Sequence, residues 1–406
     1  GAIVITTKKA KINQQTKGFV ITNVNYDNSF RIQKLQYLPK TYNGFQLGLN
    51  GVAQNNTFSA FGPPIAPGTP IYDNVSNFFK VALGQTHNVS VDFGTAKSIF
   101  RLSGSYYEQT GVVPNTKLTR YNFRLTNTTR IGKYLDISPS ISYINSANDK
   151  AMKGAGGYLL NLLLWPATDD AQNYLLPNGH KRYALGLNNG SNNVAPDAPL
   201  GTVAEADNPF FTANRNFSKD RTDNILTTLG INYNPTKWLT ISGRFGYQYY
   251  YTSGFQYKDP ESAMQSSMLN KGSLDNYWNK FYAYNHTISA TLKKNVGQFS
   301  LRLTLGTRWS QTELKYYGIS GTGDSTRSFD SSSTIQASRT RLSRATLYGA
   351  GEWNYKEAMQ VAGFAEATIG YKNLVYLTAS VANESSSILP KANRNYTYPG
   401  GSLSII

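Results

Sequence analysis

The 406 residues would ordinarily fill two or three soluble domains. Hydrophobic residues make up 40 per cent, no more than in soluble proteins, yet aromatics reach 13 per cent with 29 Tyr. No run of about 18 apolar residues exists, which excludes a transmembrane helix. The absence of cysteine excludes disulfides, thiolate catalysis and cysteine metal sites. The formal charge of +17 is scattered along the chain rather than gathered in one run. That pattern argues against nucleic acid and leaves lipid phosphates or an anionic solute as partners.

The opening Gly1-Ala2-Ile3-Val4-Ile5-Thr6-Thr7-Lys8-Lys9 has neither a Met start nor a signal peptide and reads as a strand already under way. From there the chain alternates apolar and polar residues with a period of two. Strands are expected at 19–26, 84–93, 97–108, 119–129, 134–144, 225–233, 238–250, 281–293, 298–310, 361–371, 374–383 and 396–406. The stretch 238–250 shows the pattern well: Leu239, Ile241, Phe245, Tyr247 and Tyr249 share one side, and Thr240, Ser242, Arg244 and Gln248 the other. Short turns at 94–96, 130–133, 234–237, 294–297 and 372–373 alternate with long connections at 27–83, 109–118, 145–224, 251–280, 311–360 and 384–395. That parity holds if 344–355, itself strand-like, is an extension above the membrane inside the 311–360 connection. Pro139 removes a ladder donor and predicts a bulge or a lumen-facing kink. Gly156-Gly157 before Tyr158–Trp165 predicts a short helix or packed loop segment. The last residues, Ser402 to Ile406, stop in mid-alternation.

Strand 298–310 gives the dimensions. Phe299 and Trp309 bracket Leu301, Leu303 and Leu305, while Ser300, Arg302, Thr304, Gly306 and Arg308 occupy the other face. About ten residues tilted about 40° rise roughly 25 Å, the height of an apolar band between two aromatic girdles. The expected fold is all-β: a transmembrane antiparallel β-barrel. Unpaired sheet edges cannot face hydrocarbon, so further strands are expected and the chain reads as an internal fragment.

The opening strand resembles the last plug strand of SusC-like TonB-dependent outer-membrane transporters of the Bacteroidetes type, with Ala10 where the family signature has Gly. Further blocks follow in family order over nearly the whole chain: Arg101 to Tyr107 with Gly111-Val112-Val113 and Tyr121 to Leu125; Asn208-Pro209-Phe210-Phe211 with Asp220-Arg221 and Trp238-Leu239; Gly370 to Thr378 with Ser385 to Pro390 and Asn393 to Pro399. The resemblance implies a barrel of about 22 strands, of which about twelve are present. Residues 1–10 would close an N-terminal plug domain, 11–18 would link it, and 19–406 would form the first part of the barrel. It also implies energy-coupled import of an oligosaccharide or peptide, TonB contact through segments outside this chain, a SusD-like surface lipoprotein as lid, and a dimer of SusC–SusD pairs. The setting would be the outer membrane, with its phospholipid and lipopolysaccharide.

No constellation supports an enzyme or a cofactor. His87, His180 and His286 are scattered, which argues against a metal site; His286 shares a face with Tyr282, Tyr284 and Ile288, a lipid-rim position. Asp169-Asp170 reads as a solvated cap, with acid–base work or calcium as the sharper option. Gly321-Thr322-Gly323-Asp324-Ser325 lacks the Gly-Lys-Ser/Thr of a phosphate loop. The lumen-facing Arg101, Arg124, Arg244, Arg302 and Arg308 could attract anionic solute or pair with plug carboxylates. The loop aromatics Tyr158, Trp165, Phe210, Phe211 and Trp278, with Tyr174, Tyr183 and Tyr277, could stack on solute, meet a lid protein, or pack the loops. A passive porin or a structural barrel is the alternative reading, against which the plug-like opening strand speaks.

Overall fold

A computed structural model of the chain describes residues 18–38, 43–54, 59–152, 157–179, 181–182, 207–259, 262, 273–323, 345–347 and 352–406. The plug-like opening, His180, Tyr183 and Asp324-Ser325 lie outside them. In chain order the strands are β1 (Val20–Gln33), β2 (Gly48–Leu49), β3 (Val52–Ala53), β4 (Ala82–Gly94), β5 (Ser98–Thr110), β6 (Lys117–Ile131), β7 (Leu135–Lys150), β8 (Phe217–Tyr233), β9 (Leu239–Lys258), β10 (Ser273–Val296), β11 (Phe299–Gly323), β12 (Ala345–Leu347), β13 (Glu352–Tyr371), β14 (Val375–Ser386) and β15 (Asn395–Ile405). Helices α1 (Asn74–Phe78), α2 (Tyr158–Leu164) and α3 (Pro209–Arg215) lie in the long connections. One antiparallel sheet runs β1-β4-β5-β6-β7-β8-β9-β10-β11-β13-β14-β15, β12 adds to β11, and β2 pairs β3 apart from it. Each expected strand is present, each beside its chain neighbour.

The strands run further than the apolar pattern does, mostly toward the long-connection end. The expected 281–293 is the core of the 24-residue β10, and 298–310 that of the 25-residue β11. Above the band both faces are polar, so the apolar contrast that marks a strand fades while the ladder continues. The segment 344–355 is part of this extension: Ala345–Leu347 pairs with Gly321–Gly323, and Glu352 to Tyr355 pairs with Lys315 to Gly318 as the first residues of β13. Pro139 makes neither a bulge nor a lumenal kink. It sits opposite Leu229, on the face of Ile137 and Ile141, and the β6–β7 ladder lapses between Thr126↔Ser140 and Thr129↔Ile137 with its register unchanged. A missing N–H costs a ladder bond but inserts no residue.

The short turns show why parity is fixed here. Gly94 has φ 141°, and a Cβ there would lie 2.1 Å from the Ser98 carbonyl oxygen. Lys372 and Asn373 both take left-handed φ, 49° and 60°, the conformation that lets a two-residue turn follow the right-handed strand twist.

Directly opposed residues share a face of the sheet. One face carries rows such as Leu239–Leu292–Leu303–Ala367–Ala379, Ile241–Ala290–Leu305–Ala365–Val381 and Leu301–Ile369–Leu377–Leu403. Leu301, Leu303, Leu305, Ile369, Leu377 and Leu403 on it are all exposed. So extensive an apolar surface is unstable against water and suits hydrocarbon. Rings close it at both edges. Phe299 meets Tyr371 at 5.1 Å on the short-turn side, and His286 lies among Trp309, Tyr284 and Phe245 at 5.4, 5.9 and 6.0 Å on the other. Leu303 sits in the middle of the band, so Leu303→Arg should cost about 2–4 kcal/mol in a folding titration into lipid vesicles. A neutral result would mean that this face looks inward.

Candidate functional site

The opposite face is polar from rim to rim. One of its rows runs Ser138–Gly230–Arg244–Thr287–Arg308–Ala362–Glu384 across seven strands. All five arginines read from the sequence fall on this face: Arg101 opposite Asp92, Arg124 opposite Ser103, Arg244 and Arg308 in the row above, and Arg302 opposite Lys293. Two of them find carboxylates of the wall itself. Arg101 donates to Asp92 at 3.1 Å and to the Ser90 hydroxyl at 2.9 Å. Arg308 reaches over the buried Ala362 to Glu384 at 2.7 Å, two strands away. The small Ala362 side chain leaves the space for that reach. The buried Arg124 Nε has no hydrogen-bond partner among the described residues.

The upper part of this face mixes rings with amides and hydroxyls. Tyr250 and Phe281 are opposed and stack at 4.7 Å with 16° between planes. One row higher, Thr222 and Thr252 share a hydrogen bond at 2.8 Å beside Asn279. Above them Tyr277 lies against Gly254, where a Cβ would come within 2.4 Å of the ring. Its hydroxyl reaches Asp220 at 3.3 Å, and Asp220 also holds the Lys150 ammonium. Burial disfavours the charged Lys150, but its bonds to Asp220 and Tyr277 outweigh burial and leave its pKa raised. Burial raises the Tyr277 pKa, against the pull of Lys150. Both shifts keep Lys150 an ammonium and Tyr277 a phenol at neutral pH. The sequence reading singled out none of these as a group, because the partners come from β7, β8 and β10.

The long connections fold into a cap. Asp73 caps α1 by accepting from the Ser76 N–H at 3.0 Å. Asn208 caps α3 by accepting from Phe210 N–H at 2.8 Å and Phe211 N–H at 3.3 Å, with Pro209 in the first turn. The block Asn208-Pro209-Phe210-Phe211 is thus a helix start that aims two rings. Phe211 is fully buried, and Phe210 meets Phe78 edge-on at 5.1 Å. Tyr158 stacks on Phe78 at 5.1 Å, and Trp165 is buried beside Ala171. Burial raises the Tyr158 pKa. Trp278 is half-buried on β10, opposite Ser253 and Tyr317, and Tyr174 is half-buried in the cap. Packing of the loops is the use to which the structure puts Tyr158, Trp165, Phe210 and Phe211.

Beneath the rings lies a buried polar knot. Asp169 is not a solvated cap. It receives both arms of Arg182, at 2.9 and 3.0 Å, and the Trp165 indole N–H at 3.0 Å. Asn74 joins α1 to the knot through the Asp169 carbonyl at 2.9 Å and the Ala171 N–H at 3.0 Å. Lys181 and Asp207 pair at 2.8 Å with side chains 2 and 1 per cent exposed. Asp207 also accepts from Ser262, which bonds Asn216 at 2.9 Å, and Asn216 accepts from the Asp259 N–H at 2.8 Å. The knot ties the β7–β8 connection to the β9–β10 connection. Removing one member of so buried a pair leaves an unpaired charge at a cost of about 3–5 kcal/mol, whereas an apolar replacement of both is near neutral. Lys181→Met should therefore speed amide exchange across 207–216, and Lys181→Met with Asp207→Leu should restore protection. Unchanged exchange in the single variant would show that the pair does not hold the cap.

No protein-family model matches the chain, and no curated protein matches it. Solved structures do. The RagAB peptide importer in its "closed-closed" state aligns over 98% of this chain and 45% of its own, with TM-score 0.69 and 16% identity. The "open-open" state aligns over 98% and 44%, again with TM-score 0.69 and 16% identity. Another RagAB peptide transporter structure covers 82% and 35%, with TM-score 0.63 and 17% identity. The chain spans less than half the length of these structures, and what it shares with them is the fold. That shared fold is an antiparallel β-barrel wall, in keeping with the resemblance carried by the motif blocks.

Proposed function

We propose that this chain is part of the barrel wall of an energy-coupled importer of the bacterial outer membrane. The observation that carries the reading is the division of the sheet. An exposed apolar band lies on one face, and a polar, arginine-bearing face lies on the other, in a fold shared with a peptide importer. A polar interior suits a water-filled or plugged passage rather than a dry core. The structural neighbours are transporters, not enzymes. In a bilayer the sheet edges β1 and β15 need pairing partners, since unpaired backbone groups in hydrocarbon cost several kcal/mol each.

The solute in this reading is a peptide or an oligosaccharide. Peptide import by the RagAB neighbours supports the peptide. So does the upper lumenal wall, where Tyr250, Phe281 and Tyr277 offer ring faces beside the amides and hydroxyls of Asn279, Thr222 and Thr252. A SusD-like lipoprotein would sit on the folded loop cap, whose surface is held in shape by the polar knot. Accumulation of radiolabelled peptide by cells carrying the intact protein should collapse when the proton gradient is dissipated, while heat-modifiable migration shows the barrel still inserted. Equal uptake with and without the gradient would favour a passive porin.

A further inference from the structure

On the outward face, near the short turns, the apolar band is not smooth. Two outward rows, Leu292–Leu303–Ala367 and Lys294–Leu301–Ile369, enclose a groove of about 630 Å³ across β10, β11 and β13. Its floor is the single inward row between them, through Arg302. A hollow on the lumenal side would have two inward rows for walls, so this groove opens toward hydrocarbon. The space arises because Ala367 offers only a methyl group where Leu303 and Ile369 stand tall beside it.

The foot of the groove is cationic. Lys294 is exposed and, opposite Leu301, belongs to the outward face. Exposed Lys237 stands in the turn before the neighbouring strand β9, and exposed Lys372 in the turn after β13, two strands away on the other side. The five short connections, 95–97, 132–134, 234–238, 297–298 and 372–374, contain no Asp or Glu. Asp136, near the short-turn end of β7, is taken by Arg130 at 2.9 Å. Nothing there neutralises the lysines, and in barrels of this kind the short turns face the periplasm.

We propose that the groove holds an anionic phospholipid of the inner leaflet. One acyl chain lies along Leu303 and Ala367, and the headgroup phosphate is held by Lys294 with Lys237 and Lys372 beside it. An acyl chain fits because the walls are Leu292, Leu301, Leu303, Ala367 and Ile369 with Trp238 beside them, and an anionic headgroup fits because the charged residues at the rim are lysines. Lipopolysaccharide, whose leaflet lies at the long-loop end, is on the wrong side.

The test uses the intact protein in nanodiscs of equal parts phosphatidylglycerol and phosphatidylcholine, with lipids retained after mild detergent extraction read by native mass spectrometry. Wild type should keep phosphatidylglycerol over phosphatidylcholine. Lys294→Gln and Lys372→Gln should each lower that preference, roughly fivefold per charge removed. Ala367→Leu, a modest filling of the groove, should reduce retention of both lipids, with heat-modifiable migration confirming the fold. Equal retention of the two lipids by wild type, or unchanged preference in both Lys variants, would each overturn the proposal.

Discussion

A backbone in hydrocarbon has no water to pair with, and the geometry of this chain follows from that scarcity. Each N–H and C=O inside the bilayer must find its partner within the protein. The ladders meet the demand with long, regular registers: β9, β10, β11 and β13 pair without a single shift from the short turns to well above the girdle. The lapses are few and have plain causes. One is at Pro139, which lacks a donor, and another is a shift between Ile21 and Asn23 on the edge strand β1. Once register is fixed, side chains can only alternate. The apolar face and the polar face are two consequences of one hydrogen-bonding requirement, and a slip of one residue would exchange them.

The long-connection end is built by different rules. There, water is available, and small cores form: Val75, Phe78 and Leu162 in one and Trp165 and Ala171 in another, both in the long connections, and Tyr257 and Leu274 in a third where β9 and β10 reach that end. Each is too small to hold a loop by hydrophobic burial alone. The polar knot supplies the remaining specificity. A buried Lys181–Asp207 pair returns little net stability, because desolvation offsets most of the attraction. It does penalise every loop arrangement in which the partners are apart. A cap that keeps one shape gains from that penalty more than from a few additional apolar contacts.

Legibility in the sequence follows the same division. The twelve strands could be read because the bilayer imposes a period of two with strong contrast, as at Leu301, Leu303 and Leu305 against Arg302 and Thr304. Strand ends could not, because above the girdle residues such as Asn276, Asn279, Thr312 and Tyr316 alternate without contrast. The Arg101–Asp92 pair was within reach of sequence reasoning, since the short turn between β4 and β5 sets these two residues opposite each other. Arg308 and Glu384 were not, because they meet over an intervening strand. The loop rings were legible as residues and not as packing. Tyr158 and Phe210 converge on Phe78, more than 75 positions from either, and no local pattern announces contacts of that length. Asp169 was misread for the same reason: its fork partner, Arg182, stands in a polar stretch with no periodicity to mark it.

The two rims therefore differ in kind as well as in length. The long-loop rim invests in fixed tertiary structure, with α1 and α3 capped by side chains and Lys181 and Asp207 paired in the interior. The short-turn rim has almost no tertiary structure and instead leaves its lysines exposed and unopposed by neighbouring acids. Such a rim gains by meeting a surface of opposite sign, because each exposed ammonium near an anionic leaflet is worth about 1 kcal/mol and loses no packing to achieve it. Charge at one end and shape at the other give the wall a fixed direction and depth in the membrane, so that the polar face between them spans it from one aqueous side to the other.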